Sequence, residues 1–149
     1  VAVVERHQGT GNVACGFLKG YGIKAGAVAL SIAHDSHNII VVGVSDEEME
    51  FAVNSLIAQE GGMVLVREGK VLESMPMPIA GLMSDQSGEW VDEKLTAIHA
   101  KAYEELGIAG DVEPVMTLCF MSLAVIPEVK LTDMGLFDVT TFSFIPVEA

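Results

Sequence analysis

The sequence predicts an α/β (α+β-like) fold: a layered domain with a mixed, largely hairpin-connected sheet covered by two main helices. Three observations carry this. Short runs rich in Val, Ile and Ala recur along the chain, notably at residues 27–33 and 39–44, and such runs suit strands buried on both faces. Several are joined by brief turn-forming stretches, which points to hairpins rather than a repeating βαβ array. Between them lie two longer segments, one after Ser45 and one from Gly88, whose apolar residues recur at helical spacing.

Taken in order, residues 1–5 read as a strand and Arg6-His7-Gln8-Gly9-Thr10-Gly11-Asn12 as a glycine-punctuated turn. Its Gly-Thr-Gly lacks the Lys-Ser/Thr ending of a P-loop and the spacing of a dinucleotide fingerprint, so a loop needing positive φ is the better account of it. Residues 13–18 fit either a strand or a short helix, and 19–26 a loop. Ser45-Asp46-Glu47-Glu48 has the form of a capping box. The helix after it places Met49, Ala52, Val53, Leu56 and Ile57 on one face, and Gly61-Gly62 stops it. Gly62–Arg67 and residues 70–75 are two strands joined at Glu68-Gly69, and Pro76-Met77-Pro78 must leave the sheet or lie at its edge. A second helix spans 88–106, with Val91, Leu95, Ile98 and Ala102 inward, His99 half-exposed and Gly107 as the stop. Residues 115–121 read as an apolar strand, 123–127 as a second apolar piece broken by proline, 131–138 as turn-rich and 140–145 as the last strand.

With 149 residues, half of them hydrophobic, the chain is expected to form one domain over 1–149. The net charge of −13, from 21 acids against 8 bases, argues against nucleic acid and anionic membrane partners, both of which need lysine and arginine. No apolar run approaches the ~20 residues needed to span a bilayer, so a soluble, cytoplasmic protein is expected. Cys15 and Cys119 show no zinc spacing and read as buried, reduced thiols. The chain opens on Val1 without an initiator Met, and is read as a domain whose other half lies outside this sequence. An exposed apolar patch at Met75-Pro76-Met77, and with it a homo-oligomer, is expected of such a domain.

The stretch Ser31-Ile32-Ala33-His34-Asp35-Ser36-His37-Asn38 stands out as a polar knot between two apolar runs. A short connection there gathers imidazole, carboxylate, hydroxyl and carboxamide groups at the rim of a sheet, where binding groups are commonly carried.

Four motifs carry a resemblance. They are Arg6-His7-Gln8-Gly9-Thr10-Gly11-Asn12, Ala33-His34-Asp35-Ser36-His37-Asn38-Ile39-Ile40-Val41-Val42-Gly43, Pro78-Ile79-Ala80-Gly81-Leu82-Met83-Ser84-Asp85 and Leu131-Thr132-Asp133-Met134-Gly135-Leu136. Together, in unbroken order, they resemble the C-terminal domain of bacterial adenine deaminases of the amidohydrolase superfamily. The resemblance implies hydrolysis of adenine to hypoxanthine and ammonia by the whole enzyme. It also implies manganese or iron bound by a (β/α)₈ barrel domain that is absent from this chain, so no metal ligand is expected here and the chain alone should be inactive. The partners implied are adenine and that barrel. The domain would complete or close the active site, with His34 and Asp35 as candidates for proton transfer or substrate contact and His37, Ser36, Asn38 and His7 as candidate substrate-binding residues. Three readings of the knot stay open: metal ligands with His7 recruited, purine-contacting or proton-shuttling groups, or a hydrogen-bonded turn. A non-catalytic nucleobase-binding or assembly module is the alternative function.

Overall fold

The structure is a computed structural model that describes residues 1–147. Six strands form the main sheet: β1 (Ala2–Val4), β2 (Val13–Cys15), β3 (Ala27–Leu30), β4 (Ile39–Gly43), β5 (Gly62–Arg67) and β6 (Lys70–Pro76). Their spatial order is β2-β1-β4-β3-β5-β6. Helix α1 (Asp46–Ala58) leads from β4 to β5, and α2 (Gly88–Glu104) and α3 (Pro114–Cys119) follow β6. A second sheet of three strands contains β7 (Val129–Thr132), β8 (Gly135–Asp138) and β9 (Ser143–Ile145). The layered α+β domain expected from the hairpin signals is therefore the one formed. Every strand pairing among the described residues is antiparallel, so the sheet is not mixed in strand direction.

The period-2 alternation of the strands sorts their side chains to two faces. Ala27, Ala29, Ile39, Val41, Val64 and Val66 pack under Ala52 and Leu56 of α1. On the opposite face Val28, Leu30, Ile40 and Leu65 meet Ile98 and Ala102 of α2 and Leu118 of α3. This double covering explains why these strands read as continuous apolar runs.

The helix signals hold, with one change of use. Ser45 caps α1 by accepting from the Glu48 amide at 3.3 Å, but Glu48 does not reach back. Its Oε1 accepts from the Glu68 amide at 2.6 Å and so ties the helix start to the β5–β6 turn. Glu68 and Gly69 both have positive φ, 53° and 67°, as a two-residue hairpin turn requires. Pro76 ends β6, an outermost strand, where a missing N–H costs no ladder bond. Ile57, expected on the inner face of α1, is exposed instead.

Residues 115–121 are not a strand. Pro114 begins α3 with Glu113 as its cap, whose carboxylate accepts from the Met116 amide. A short apolar run fits a buried strand or a buried helix equally well; proline at the first helical position, with Val115, Leu118 and Cys119 buried at helical spacing, decides for the helix. The turn-rich stretch 131–138 is a hairpin, whose Asp133-Met134 turn joins β7 to β8. Residues 13–18 supply β2 rather than a helix.

Two surface expectations fail. Met75 and Met77 are buried, so Met75-Pro76-Met77 is no exposed patch; Phe17, Phe142, Met134 and Val125 are the strongly exposed apolar side chains. Cys15 is exposed, whereas Cys119 is buried and its burial pushes the thiol up to about 11. Among the described residues no helix is long and apolar enough to cross a membrane.

Candidate functional site

The polar knot is the connection between β3 and β4, whose register Leu30↔Ile40 brings its two ends side by side at one rim of the sheet. Its base is fixed from below. The His37 amide donates to the Ala33 carbonyl at 2.6 Å, the His34 amide to the Cys119 carbonyl at 2.8 Å, and Ser122 Oγ to the His34 carbonyl at 3.3 Å. The His34 ring stacks on Phe120, with centroids 5.1 Å apart and planes 19° apart. The fold thus sets the orientation of this imidazole through an aromatic face and leaves its nitrogens without a hydrogen-bond partner among the described residues. Asp35 is exposed and its carboxylate is likewise unengaged.

Three distant segments converge on the knot. Arg6, just past β1, donates through Nε to the His37 carbonyl at 2.5 Å and through Nη2 to the Ala80 carbonyl at 2.8 Å. His7 Nε2 donates to the Ser36 carbonyl at 2.7 Å. Asn38 is buried; its Oδ1 accepts from the Arg6 amide at 3.3 Å and its Nδ2 donates to Asp133 Oδ1 at 3.2 Å. Beneath them buried Ser31 donates to the Gly81 carbonyl at 2.5 Å and accepts from the Gly62 amide at 2.7 Å. A Cβ on Gly81 would lie 2.8 Å from Arg6 Nη1, and its φ is +73°, so this approach needs glycine.

A cleft of about 520 Å³ opens beside this junction, lined by Arg6, His7, His37, Glu60, Ala80 and Leu82 among others. Of the residues singled out in the sequence, His7 and His37 line it. His34, Asp35, Ser36 and Asn38 do not, although they belong to the same loop. Asn38 is spent on framework bonds, and Ser36 accepts from the Asn38 amide at 3.4 Å. Arg6, Ala80, Gly81 and Asp133 were missed as individual residues, though each lies inside one of the four motifs. The available signal was the placement of an arginine beside a histidine in a glycine-rich turn on a chain with few bases.

Electrostatics favour a neutral His37. Burial lowers its pKa from the ordinary 6.5, and the nearby His34 and Arg6 charges lower it further against the opposing pull of Asp35. Its Nδ1 is buried without a partner. At the adjacent turn, burial alone would raise the Glu5 carboxyl. The amides of Thr10, Gln8 and His7 and the Thr10 hydroxyl outweigh it and hold the group at about 2, well below its usual range.

His7 Nε2, the third imidazole a metal site here would recruit, is engaged by the Ser36 carbonyl. Among the described residues no group of three or more His, Cys, Asp or Glu could hold a metal ion.

Comparison with known proteins gives this arrangement a context. The family described as "Adenine deaminase C-terminal domain" matches residues 1–143. The chain is 74% identical over its whole length to "Adenine deaminase 2" of Desulfotalea psychrophila, of which it covers 26%. It is 53% identical over 147 residues to "Adenine deaminase" of Nitratidesulfovibrio vulgaris strain DP4, covering 99% of this chain and 26% of the relative. It is 52% identical over 145 residues to "Adenine deaminase" of Halalkalibacterium halodurans, covering 97% of this chain and 25% of the relative. The chain thus spans about a quarter of the length of the curated relatives it matches.

Proposed function

The chain belongs to the adenine deaminase C-terminal domain family, and from that premise we propose that it serves as the domain of an adenine deaminase that completes or closes the active site. The whole enzyme hydrolyses adenine to hypoxanthine and ammonia in the cytoplasm, in purine salvage and adenine catabolism. A (β/α)₈ barrel domain of the same enzyme holds the manganese or iron that makes a water nucleophilic at neutral pH. The residues described here do not fit that metal, and their part is to position and to move protons.

One observation carries this reading: all four motifs, widely separated in the chain, meet at a single rim through Arg6, Ser31 and Asn38. A rim that merely connected strands would not need an arginine fork, a buried serine and an amide bridge over 95 residues of sequence. These bonds hold the knot rigid while leaving the nitrogens of His34 and the carboxylate of Asp35 free. Both are candidates for proton transfer or substrate contact, because a general acid or base must be positioned and yet not consumed by structural bonds. His7 and His37, lining the cleft, supply the donors and acceptors that a purine edge demands. Ser36 and Asn38 support the loop that carries them.

The test separates domain from enzyme. The full polypeptide should turn over adenine and carry manganese or iron, while the 149-residue chain alone should do neither. Adenine turnover by the isolated chain with stoichiometric metal would overturn the reading.

A further inference from the structure

Helix α1 covers only part of its side of the main sheet. It packs on β3, β4 and β5 and reaches β1 only through buried Ala2 and half-buried Val4, leaving Val13 and Cys15 of β2 exposed beside it. Cross-strand partners share a face, so the registers Ala2↔Cys15, Val4↔Val13, Ala2↔Val41 and Val4↔Ile39 form an apolar floor. Met49 and Val53 of α1 form the wall. Hollows of about 510 and 350 Å³ run along this wall and share Cys15, Asp46 and Met49, and a third of about 370 Å³, lined by Leu56 and Ile57 further along the helix, adjoins the second at Val4. They make one groove flanking the 13 residues of α1, a length of roughly 20 Å.

The rim of the groove is acidic. Asp46, Glu50, Glu5 and Glu60 border it, and the one lysine or arginine in its lining among the described residues is Arg6 of the third hollow, whose guanidinium is engaged by the His37 and Ala80 carbonyls. We propose that this groove seats an amphipathic helix with a lysine- or arginine-rich flank, contributed by the larger remaining part of the enzyme's polypeptide. The proposal rests on reading the chain as one domain of a larger deaminase, and the relatives' lengths leave about three quarters of such a polypeptide to supply the helix. A helix lying beside α1 would extend the helical layer across β1 and β2, as α2 and α3 cover the other face. A second copy of this chain fits poorly, because it would bring the same acidic rim and a net charge of −13 against its like.

The test places a photo-crosslinking amino acid at Val13, which is 54% exposed on the floor, in the full polypeptide. Peptide mapping should find the crosslink within the same polypeptide, on a segment with an apolar stripe and basic flank, and Glu50→Lys should cut its yield several-fold without altering the melting temperature. Crosslinking to a second copy, a yield unchanged by Glu50→Lys, or no crosslink at all would overturn the proposal. Adenine turnover measured on the same sample keeps the two readings apart. Turnover with no internal crosslink removes the docking proposal alone, whereas an internal crosslink without turnover upholds docking and removes the deaminase reading.

Discussion

Arg6 donates through Nε to the His37 carbonyl at 2.5 Å, so that a side chain from the end of β1 sets the backbone of the β3–β4 connection 31 residues away. The same guanidinium holds the Ala80 carbonyl at 2.8 Å. Arg6→Ala should therefore loosen both loops and cost about 2 kcal/mol, the scale of hydrogen bonds to a charged group. Arg6→Lys should recover little of it, since an ammonium cannot reproduce the planar fork. Urea unfolding of the three proteins checks this, and equal stability of all three would assign Arg6 no framework role.

Ser31 is buried and both donates and accepts. Ser31→Ala leaves the Gly81 carbonyl and the Gly62 amide without these partners, with an expected cost of about 2–3 kcal/mol from unsatisfied buried groups. The loss should appear as a lower denaturation midpoint with an unchanged slope.

The Glu5 carboxyl has a folded pKa of about 2 against an ordinary 4.5. A depressed carboxylate stabilises the fold fully above pH 4.5, and that contribution disappears as the pH falls toward 2. Glu5→Gln should lower stability at pH 6 and flatten its decline across that acid window. An identical acid limb in both proteins would show that the turn amides do not hold this charge.

His37 also has a lowered pKa, chiefly through burial, with His34, Arg6 and His7 disfavouring its charge and Asp35 favouring it. Its contribution to stability is complete above pH 6.5 and is lost as the pH falls through the folded value. Proton NMR of the ring should give a midpoint below 6.5 that rises when Arg6 is replaced by Ala. A midpoint at 6.5, indifferent to Arg6, would contradict the packing described.

How much of this was legible in the sequence follows from the range of each interaction. Caps and turns are local, so Ser45 and Glu68-Gly69 signal their structures within four residues. Double-faced burial made β3, β4 and β5 readable as apolar runs, yet the same uniformity hid α3, where only Pro114 marked a helix. The knot itself was visible as a cluster of polar residues between such runs. Its partners were not, because Arg6 and Asp133 reach it across 31 and 95 residues, Ala80 is tied to Arg6 across 74, and only tertiary contact pairs them. The exposure of Cys15 and the burial of Met75 depend likewise on which strand lies at an edge and which beneath a helix.

The most direct test of the account uses His34→Ala and Asp35→Ala in the full enzyme, with kcat/KM for adenine, metal content and melting temperature measured on the same samples. Loss of a positioned proton-transfer group typically costs on the order of 10²-fold or more. The account predicts such a fall in kcat/KM for at least one variant, with metal content and melting temperature at wild-type values. Normal kinetics with a lowered melting temperature would assign the knot to structure alone, and loss of metal would assign it to ligation; either result would contradict the account.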